Sequence, residues 1–179
     1  MKKLASLISK LFIVYYQIIY GKKVEFGKNI IVNHKLKIKG QGKLLIADNA
    51  NLWAYEEPNR FYFYDKEAII QIGQNSRLNG LTCHSEKSIQ IGENCLIGSA
   101  IIMDTDFHTF SDKEHILYGN PKTKPVQIGN NVWICGQSVI LKGCEIGEKS
   151  VIGFRAVVSK SFPANVVIAG NPARIVKSK

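Results

Sequence analysis

The sequence has few cysteines and few aromatic residues, and each shortage reduces the number of possible folds. Its four cysteines form no Cys-x-x-Cys pair and have no histidine at zinc-finger spacing, so neither a metal knuckle nor a disulfide scaffold is indicated. We expect reduced thiols in a cytoplasmic protein. Aromatic residues make up 9% of the chain and apolar residues 45%, so many small aliphatic contacts are expected rather than a few large rings. At 179 residues the chain is too short to expect two domains.

Acidic residues are scarce relative to basic ones. Lys and Arg total 24 against 14 Asp and Glu, and the resulting net charge of +10 predicts an anionic partner. The basic residues form only short clusters, and no RNP or helix-turn-helix pattern is present. We therefore expect a phosphate-bearing small molecule or a membrane surface as the partner, and no nucleic acid.

The chain also lacks a long uninterrupted apolar run. Lys10 breaks the N-terminal apolar stretch and no small-residue cleavage site follows, which argues against a signal peptide and makes a spanning helix marginal. The pattern predicts an amphipathic helix over residues 1–22 whose apolar face packs on the rest of the domain. The residues of that face are Leu4, Leu7, Ile8, Leu11 and Val14. A peripheral membrane contact, aided by neighbouring lysines, is the alternative.

An internal repeat places an aliphatic residue at every sixth position. Between Ile128 and Val158 six aliphatics follow this period, and small or β-branched residues come four positions after them. A looser run with the same period extends from Ile72 to Met103, with traces upstream to Phe26. Neither an α-helix nor a flat sheet has this period. It predicts a prism of three faces, with one short strand per hexad, the aliphatic pointing to the axis and Gly or Asn at the turn.

This repeat resembles that of the hexapeptide-repeat family, over roughly residues 24 to 175. The resemblance implies an all-β fold, a left-handed parallel β-helix over residues 23–179, with the N-terminal helix before it and one extruded loop at about 109–125. The handedness is taken from the resemblance, because parallel crossovers are ordinarily right-handed. Such a β-helix can serve only as a scaffold or a binding surface, so a function has to come from what interrupts the repeat.

The interruption lies between Met103 and Ile128. It begins with D-T-D-F-H-T-F at 104–110, and the repeat resumes with I-G-N-N-V-W-I at 128–134. These motifs, followed by P-A-N-V-V-I-A-G-N-P-A-R at 163–174, resemble those of the galactoside, maltose and polysaccharide O-acetyltransferases. The resemblance implies an O-acetyltransferase that uses acetyl-CoA, acts on a sugar or surface-polysaccharide unit, and forms a homotrimer with active sites between subunits.

His108 is predicted to be the general base of this reaction. An alcohol is a poor nucleophile until its proton is being removed, and an imidazole titrates near neutral pH. A carboxylate that holds the second ring nitrogen would fix the tautomer. Asp104 and Asp106 are both candidates for that role, and we favour Asp106.

The resemblance also implies cofactor and acceptor positions. Those for CoA are Trp133, Gly136, Phe154, Ser159, Lys160, Arg174 and Lys177. Those for the acceptor are Asn79, His84 and Asp104. Phe154-Arg155 stands where the family commonly has Ala-Gly, so Phe154 either crowds the CoA groove or stacks in it. The aromatic segment 59–64 either stacks on sugars or bases, or packs in the core or between subunits.

Two other functions suit the same fold. An antibiotic of the streptogramin or chloramphenicol type would be acetylated by the same chemistry. A zinc enzyme similar to the γ-type carbonic anhydrases would need three histidines from adjacent faces. His115 lies in the polar loop and the acetyltransferase motifs would then have no explanation, so we expect no metal.

Overall fold

The computed structural model describes residues 2–109, 111 and 113–178, and it consists of one helix followed by a long series of short strands. Met1, at the start of the expected helix, Phe110 and Asp112, in the expected loop, and Lys179 lie outside the described residues. The elements are α1 (Lys2–Tyr20), a 3-10 turn (Gly21–Lys23), β1 (Val24–Phe26), β2 (Ile31–Val32), β3 (Leu36–Lys39), β4 (Lys43–Ile46), β5 (Asn51–Leu52), β6 (Asn59–Phe63), β7 (Ile69–Ile72), β8 (Arg77–Leu78), β9 (Thr82–Ser85), β10 (Ser88–Ile91), β11 (Leu96–Ile97), β12 (Ile101–Met103), β13 (Val126–Ile128), β14 (Trp133–Ile134), β15 (Val139–Ile140), β16 (Glu145–Ile146), β17 (Val151–Ile152), β18 (Val157–Val158), β19 (Val166–Ala169) and β20 (Arg174–Ser178).

Successive strands go to three different sheets, so every third strand is a neighbour. Sheet A has the order β1-β4-β7-β10-β13-β16, sheet C has β3-β6-β9-β12-β15-β18, and sheet B has β2-β5-β8-β11-β14-β17 followed by β19 and β20. The pairs are parallel except for β19 and β20, which are antiparallel. This arrangement confirms the expected all-β fold, a parallel β-helix of triangular section with an N-terminal helix. The left-handed sense is the one that the hexapeptide repeat implies.

The axis is filled by ladders of aliphatic side chains stacked from coil to coil. The inward residues are Ile46, Ile72, Ile91, Ile128 and Ile146 on sheet A, Val32, Leu52, Leu78, Ile97, Ile134, Ile152 and Ile168 on sheet B, and Ile38, Phe61, Cys83, Ile102, Ile140 and Val158 on sheet C. The hexad aliphatics from 128 to 158 therefore point inward as predicted. Met103 does not, because Ile102 pairs with Cys83 and Ile140 and takes the axis position, five residues after Ile97.

The corners of the coils use asparagine in the left-handed conformation. In five of the sheet A coils, an Asn with φ between 55° and 60° stands three residues after the last inward residue of the strand. They are Asn29, Asn49, Asn75, Asn94 and Asn131. Asn adopts this region at lower cost than most residues with a β-carbon, which accounts for its recurrence at the predicted turns.

The helix α1 packs on the β-helix with a different face from the one predicted. Leu4, Leu7, Leu11 and Val14 are each more than half exposed, whereas Ser9 and Tyr16 are buried. The packed face combines apolar contacts of Phe12, Ile13, Tyr16 and Tyr20 with two hydrogen bonds. Ser9 Oγ accepts from Val32 N at 2.9 Å, and Tyr16 Oη donates to Asn33 O at 2.8 Å. The prediction that the leucine face packs on the domain is therefore wrong.

Candidate functional site

The loop that carries His108 leaves sheet C at the end of β12 and returns as β13 on sheet A. Its two ends are tied to each other, because Lys124 N donates to Asp104 O at 2.9 Å and Asp106 N donates to Lys122 O at 3.2 Å. Thr105 and Thr123 form an isolated antiparallel bridge between these two contacts. Residues 104–106 and 122–124 thus form a short antiparallel contact on the side of the β-helix, which we call the clasp.

Asp104 fixes the start of this clasp. Its carboxylate is buried and accepts hydrogen bonds from Ser85 Oγ at 2.8 Å, Glu86 N at 2.7 Å and Lys87 N at 2.9 Å. Thr105, the next residue, donates from Oγ1 to Glu86 Oε2 at 2.6 Å. Both carboxylate oxygens of Asp104 therefore bind the corner between β9 and β10. This is a positioning role that the sequence did not indicate.

Asp106 forms an ion pair with Lys142. The distance from Asp106 Oδ1 to Lys142 Nζ is 2.6 Å, and the lysine comes from the corner that follows β15. His108 itself is exposed. Within residues 2–109, 111 and 113–178, neither Asp104 nor Asp106 accepts a hydrogen bond from His108. The preference for Asp106 as the residue that orients the imidazole stays a prediction.

His84 belongs to a cluster of rings at the base of the same loop. Its Nδ1 lies 2.8 Å from Tyr64 Oη, and its ring stacks on Tyr62 with 4.9 Å between centroids. Phe107 meets the edges of both His84 and Tyr64, at 5.2 and 5.3 Å. Partial burial lowers the pKa of His84 from its usual range, and burial, with a smaller contribution from Tyr62, raises the pKa of Tyr64. Both groups are therefore neutral near pH 7.

The predicted acceptor residues do not all lie together. His84 and Asp104 are neighbours, because Met103 pairs with His84 across the sheet and Asp104 N donates to His84 O at 3.1 Å. Asn79 lies at the opposite end of β9, where its Oδ1 accepts from Tyr55 N at 3.0 Å. A cleft of about 350 Å³ opens there. It is lined by Tyr55, Glu56, Glu57, Asn79, Gly98, Ser99 and Gly136.

The predicted CoA residues divide between the two ends of the sheet C strands. Gly136 and Phe154 precede β15 and β18, and a β-carbon at Gly136 would lie 3.6 Å from the Phe154 ring. Ser159 and Lys160 follow β18, at the same end as Lys142 and the His108 loop. Within one chain the two groups are separated by the width of a sheet.

The remaining CoA candidates lie elsewhere on the surface. Trp133 projects outward from sheet B and is 49% exposed. Arg174 and Lys177 lie on the exposed strand β20, with no acidic partner at salt-bridge distance among the described residues. The roles of these residues in CoA binding stay predictions.

The structure shows the surroundings of Phe154 and Arg155, where the sequence departs from the family pattern. Arg155 has φ of 58°, a conformation that suits the Gly usually found there. Its side chain lies over the Phe154 ring, with 5.3 Å from Cζ to the centroid, and its Nε donates to Gln137 Oε1 at 2.7 Å. Phe154 is 60% exposed, with this guanidinium against its ring.

The histidines that a zinc enzyme would need have other surroundings. His115 Nδ1 accepts from Leu117 N at 3.2 Å, and its ring stacks on Tyr118. His34 lies near Phe12 of α1. In the part of the chain that the structure describes, no three His, Cys, Asp or Glu side chains are close enough to hold a metal ion.

Sequence comparisons identify relatives of this fold. A family model described as bacterial transferase hexapeptide (six repeats) matches residues 125–160. The galactoside O-acetyltransferase of Escherichia coli (strain K12) is 37% identical over 127 residues, which make up 69% of this chain and 60% of that protein. The chain thus matches less than two thirds of the length of this relative.

Two solved structures are similar to most of this chain. One is a galactoside acetyltransferase in complex with coenzyme A, with a TM-score of 0.59 and 34% identity, covering 74% of this chain and 64% of that one. The other is the polysialic acid O-acetyltransferase OatWY, with a TM-score of 0.70 and 29% identity, covering 87% of this chain and 74% of that one.

Proposed function

Because this chain belongs to the hexapeptide-repeat family of transferases, we propose that it moves an acetyl group from acetyl-CoA to a hydroxyl of a sugar or surface-polysaccharide unit. The observation that carries the proposal is the exposed imidazole of His108 on a loop whose two ends are clasped together beside sheet C. The coenzyme A complex of the similar galactoside acetyltransferase supports the donor. The polysialic acid O-acetyltransferase supports a polysaccharide acceptor.

In the proposed reaction His108 accepts the proton of the acceptor hydroxyl while the oxygen attacks the thioester carbonyl carbon. The carbonyl electrons move to oxygen, and a backbone N–H stabilises that oxyanion. When the carbonyl re-forms, the carbon–sulfur bond breaks and the CoA sulfur takes the proton from the imidazolium. The acetyl ester and CoA thiol are the products, and His108 returns to its neutral form.

The division of the CoA candidates supports sites shared between copies of the chain, and the family resemblance supports a trimer. Gly136 and Phe154 lie before β18, whereas Ser159 and Lys160 lie after it on the same end as His108. One elongated ligand contacts both groups if two copies of the chain place opposite ends of sheet C side by side. Light scattering is expected to give three times the mass of one chain. Full activity from a monomer would contradict shared sites.

An acetyl-CoA consumption screen tests the activity. Purified protein is expected to release CoA thiol with sugars or oligosaccharides as acceptors, and the screen includes nucleotide sugars, chloramphenicol and a streptogramin. His108→Ala is expected to lower turnover by a factor of about 10² to 10⁴, without change in circular dichroism or mass. His115→Ala is the matched control, because His115 is an exposed histidine of the same loop. Equal activity of the two variants would refute the role of His108 as general base.

We further propose that α1 lies on an anionic membrane surface, with catalysis on the cytoplasmic side. The stretch Leu4–Lys23 is long and apolar enough to cross a membrane and is mostly exposed. Its packed face stays bound to the β-helix through Ser9 and Tyr16, which favours lying on the membrane over spanning it. Lys10, Lys22 and Lys23 are exposed and provide the charge that anionic headgroups attract.

Vesicle cosedimentation tests the membrane contact. The protein is expected to bind vesicles that contain phosphatidylglycerol more tightly than vesicles of phosphatidylcholine alone, and less tightly at high salt. Replacing Leu7 and Leu11 with serine is expected to weaken binding at least about tenfold, because each leucine loses its apolar contact. Ile116→Ser, an exposed loop change, is the control. Undiminished binding of the double variant, or a change in its oligomeric mass, would contradict the proposal.

A further inference from the structure

Four rings from three segments converge on the outer side of sheet C, and we call them the aromatic shelf: Tyr62, Tyr64, His84 and Phe107. The rings of Tyr64 and His84 are stacked with 6.0 Å between centroids, and Phe107 stands edge-on to both. The inward residues of the same strand, Phe61 and Phe63, already fill the core. The aromatic shelf is thus additional to the core, and Tyr64 remains 53% exposed.

The backbone is bent to bring Phe107 to this place. Its φ is 63°, a left-handed conformation that is uncommon for a large side chain. Phe107 N is held by Thr105 Oγ1 at 3.2 Å, and Thr105 in turn is fixed by Glu86. Phe107 directly precedes His108, so the position of this ring and that of the proposed base depend on the same three residues of backbone.

The aromatic shelf carries one oriented polar group. The contact of Tyr64 Oη with His84 Nδ1 at 2.8 Å holds the imidazole in one plane, parallel to Tyr62 within 13°. Within the described part of the chain, His84 Nε2 has no hydrogen-bond partner, so it remains available to a ligand. Binding sites for small molecules are typically lined by apolar and aromatic groups with a few placed polar atoms. The aromatic shelf has this composition.

We infer that the aromatic shelf is the acceptor subsite and that it takes a pyranose ring, with the C–H face of the sugar on Tyr64, the sugar edge against Phe107 and a ring hydroxyl at His84 Nε2. The inference rests on the proposed function. Aromatic faces are negative and C–H groups slightly positive, so a sugar face packs well there. A neutral imidazole, favoured by the lowered pKa of His84, serves a hydroxyl group without introducing a charge.

Kinetics on the intact protein tests the subsite with the sugar that gives the highest turnover in the acceptor screen. Phe107→Leu and Tyr64→Leu are expected to raise the KM for that sugar about 3- to 10-fold and to leave the KM for acetyl-CoA unchanged. Tyr64→Phe, which removes only the hydroxyl that holds His84, is expected to have the smaller effect. Tyr118→Leu is the matched control, because Tyr118 also stacks on a histidine, His115, at 4.9 Å, and is exposed.

A fall in kcat with an unchanged sugar KM would overturn the subsite and give the aromatic shelf a structural role under His108. So would shelf variants that behave like Tyr118→Leu. Saturation-transfer NMR with methyl pyranosides and with pyranose oligosaccharides measures binding without turnover. A stronger signal from the methyl glycosides identifies a single sugar unit as the ligand, and one from the oligosaccharides identifies a chain end.

The NMR measurement also separates the two proposals. If the wild-type protein acetylates no sugar, the proposed function fails, while loss of the pyranoside signal in Phe107→Leu still supports a pyranose-binding site on the aromatic shelf. A pyranoside signal that Phe107→Leu retains overturns the subsite whatever the activity. Binding of chloramphenicol in place of any pyranoside overturns it as well.

Discussion

The regular coils and the clasped loop of residues 104–109 achieve order in different ways. In the coils, each inward position belongs to a ladder of similar aliphatics, and neighbouring coils repeat the same contacts. In the loop, the contacts are individual and differ from residue to residue, such as that of Asp104 with Ser85 and that of Asp106 with Lys142. The contacts that order a coil are therefore repeated in its neighbours, whereas each contact that orders the loop occurs once. A change in a coil is expected to alter stability, whereas a change in the loop is expected to alter activity out of proportion to stability.

The largest effect on stability is expected in the coils. Ile134 is fully buried in the ladder of sheet B, and Ile134→Ala leaves a cavity that is expected to lower the free energy of unfolding by about 2–5 kcal/mol. Ile134→Val removes one methyl group and is expected to cost about 0.5–1.5 kcal/mol. Denaturant titration measures both, and activity per folded molecule is expected to be unchanged. A loss of activity at full folding would contradict the division of roles.

A smaller loss of stability with a larger loss of activity is expected at Asp104. Asp104→Ala leaves the Ser85 hydroxyl and two backbone N–H groups without their acceptor, at a cost of about 1–3 kcal/mol. Because the start of the loop is then released, kcat is expected to fall more than tenfold at a temperature where the protein is folded. The control is Asp48→Ala, which removes a corner carboxylate that accepts from Lys28 N in a regular coil. Equal kcat for the two variants would show that the loop does not depend on Asp104.

The sequence predicted the coils well because their signal is repeated. The axis residues from Ile128 to Val158 were found from period alone, since the hydrophobic contact that selects each aliphatic is the same in every coil. The predicted phase of the repeat was wrong at Met103. Ile102 lies on the axis instead, five residues after Ile97, and Met103 misled the prediction because it is also apolar and stands at the sixth position. The prediction of the packed face of α1 was wrong because the helix has a second apolar face. That face carries Phe12, Ile13, Tyr16 and Tyr20, together with a Ser9 hydroxyl that bonds to the backbone of β2 and does not contribute to an apolar pattern.

The site was predicted only in part because its contacts are not repeated. His108 was found from the motif around it, and its role as base stays a prediction. The contact of Tyr64 with His84, twenty residues away, follows from one coil of separation, but the arrival of Phe107 depends on a single left-handed residue. The separation of the CoA candidates between the two ends of sheet C could not be predicted, because it depends on where the strands between them lie in the fold.

Arg155 offers a gain in stability at a corner. A residue with a β-carbon in the left-handed region costs about 1–2 kcal/mol, and the flexibility of glycine in the unfolded chain offsets part of this. Arg155→Gly is therefore expected to raise the free energy of unfolding by about 0.5–1 kcal/mol, measured by denaturant titration. Asn131→Gly, at a corner already occupied by asparagine with φ of 58°, is expected to change it less. Destabilisation by Arg155→Gly would mean that its bond to Gln137 outweighs the backbone cost.

The smallest effect on stability is expected at Lys142, and it gives the sharpest comparison between loop and coil. Lys142→Ala and Lys43→Ala each remove an exposed or partly exposed ion pair, with Asp106 and Glu25 respectively, and each is expected to cost about 0.2–1 kcal/mol. Their activities are expected to differ. Lys142→Ala frees the carboxylate two residues from His108 and is expected to lower kcat several-fold, whereas Lys43→Ala lies on the regular coils and is expected to leave kcat unchanged. If both variants keep wild-type kcat, the Asp106–Lys142 pair does not position the base, and the clasp through Asp104 and Thr105 alone must do so.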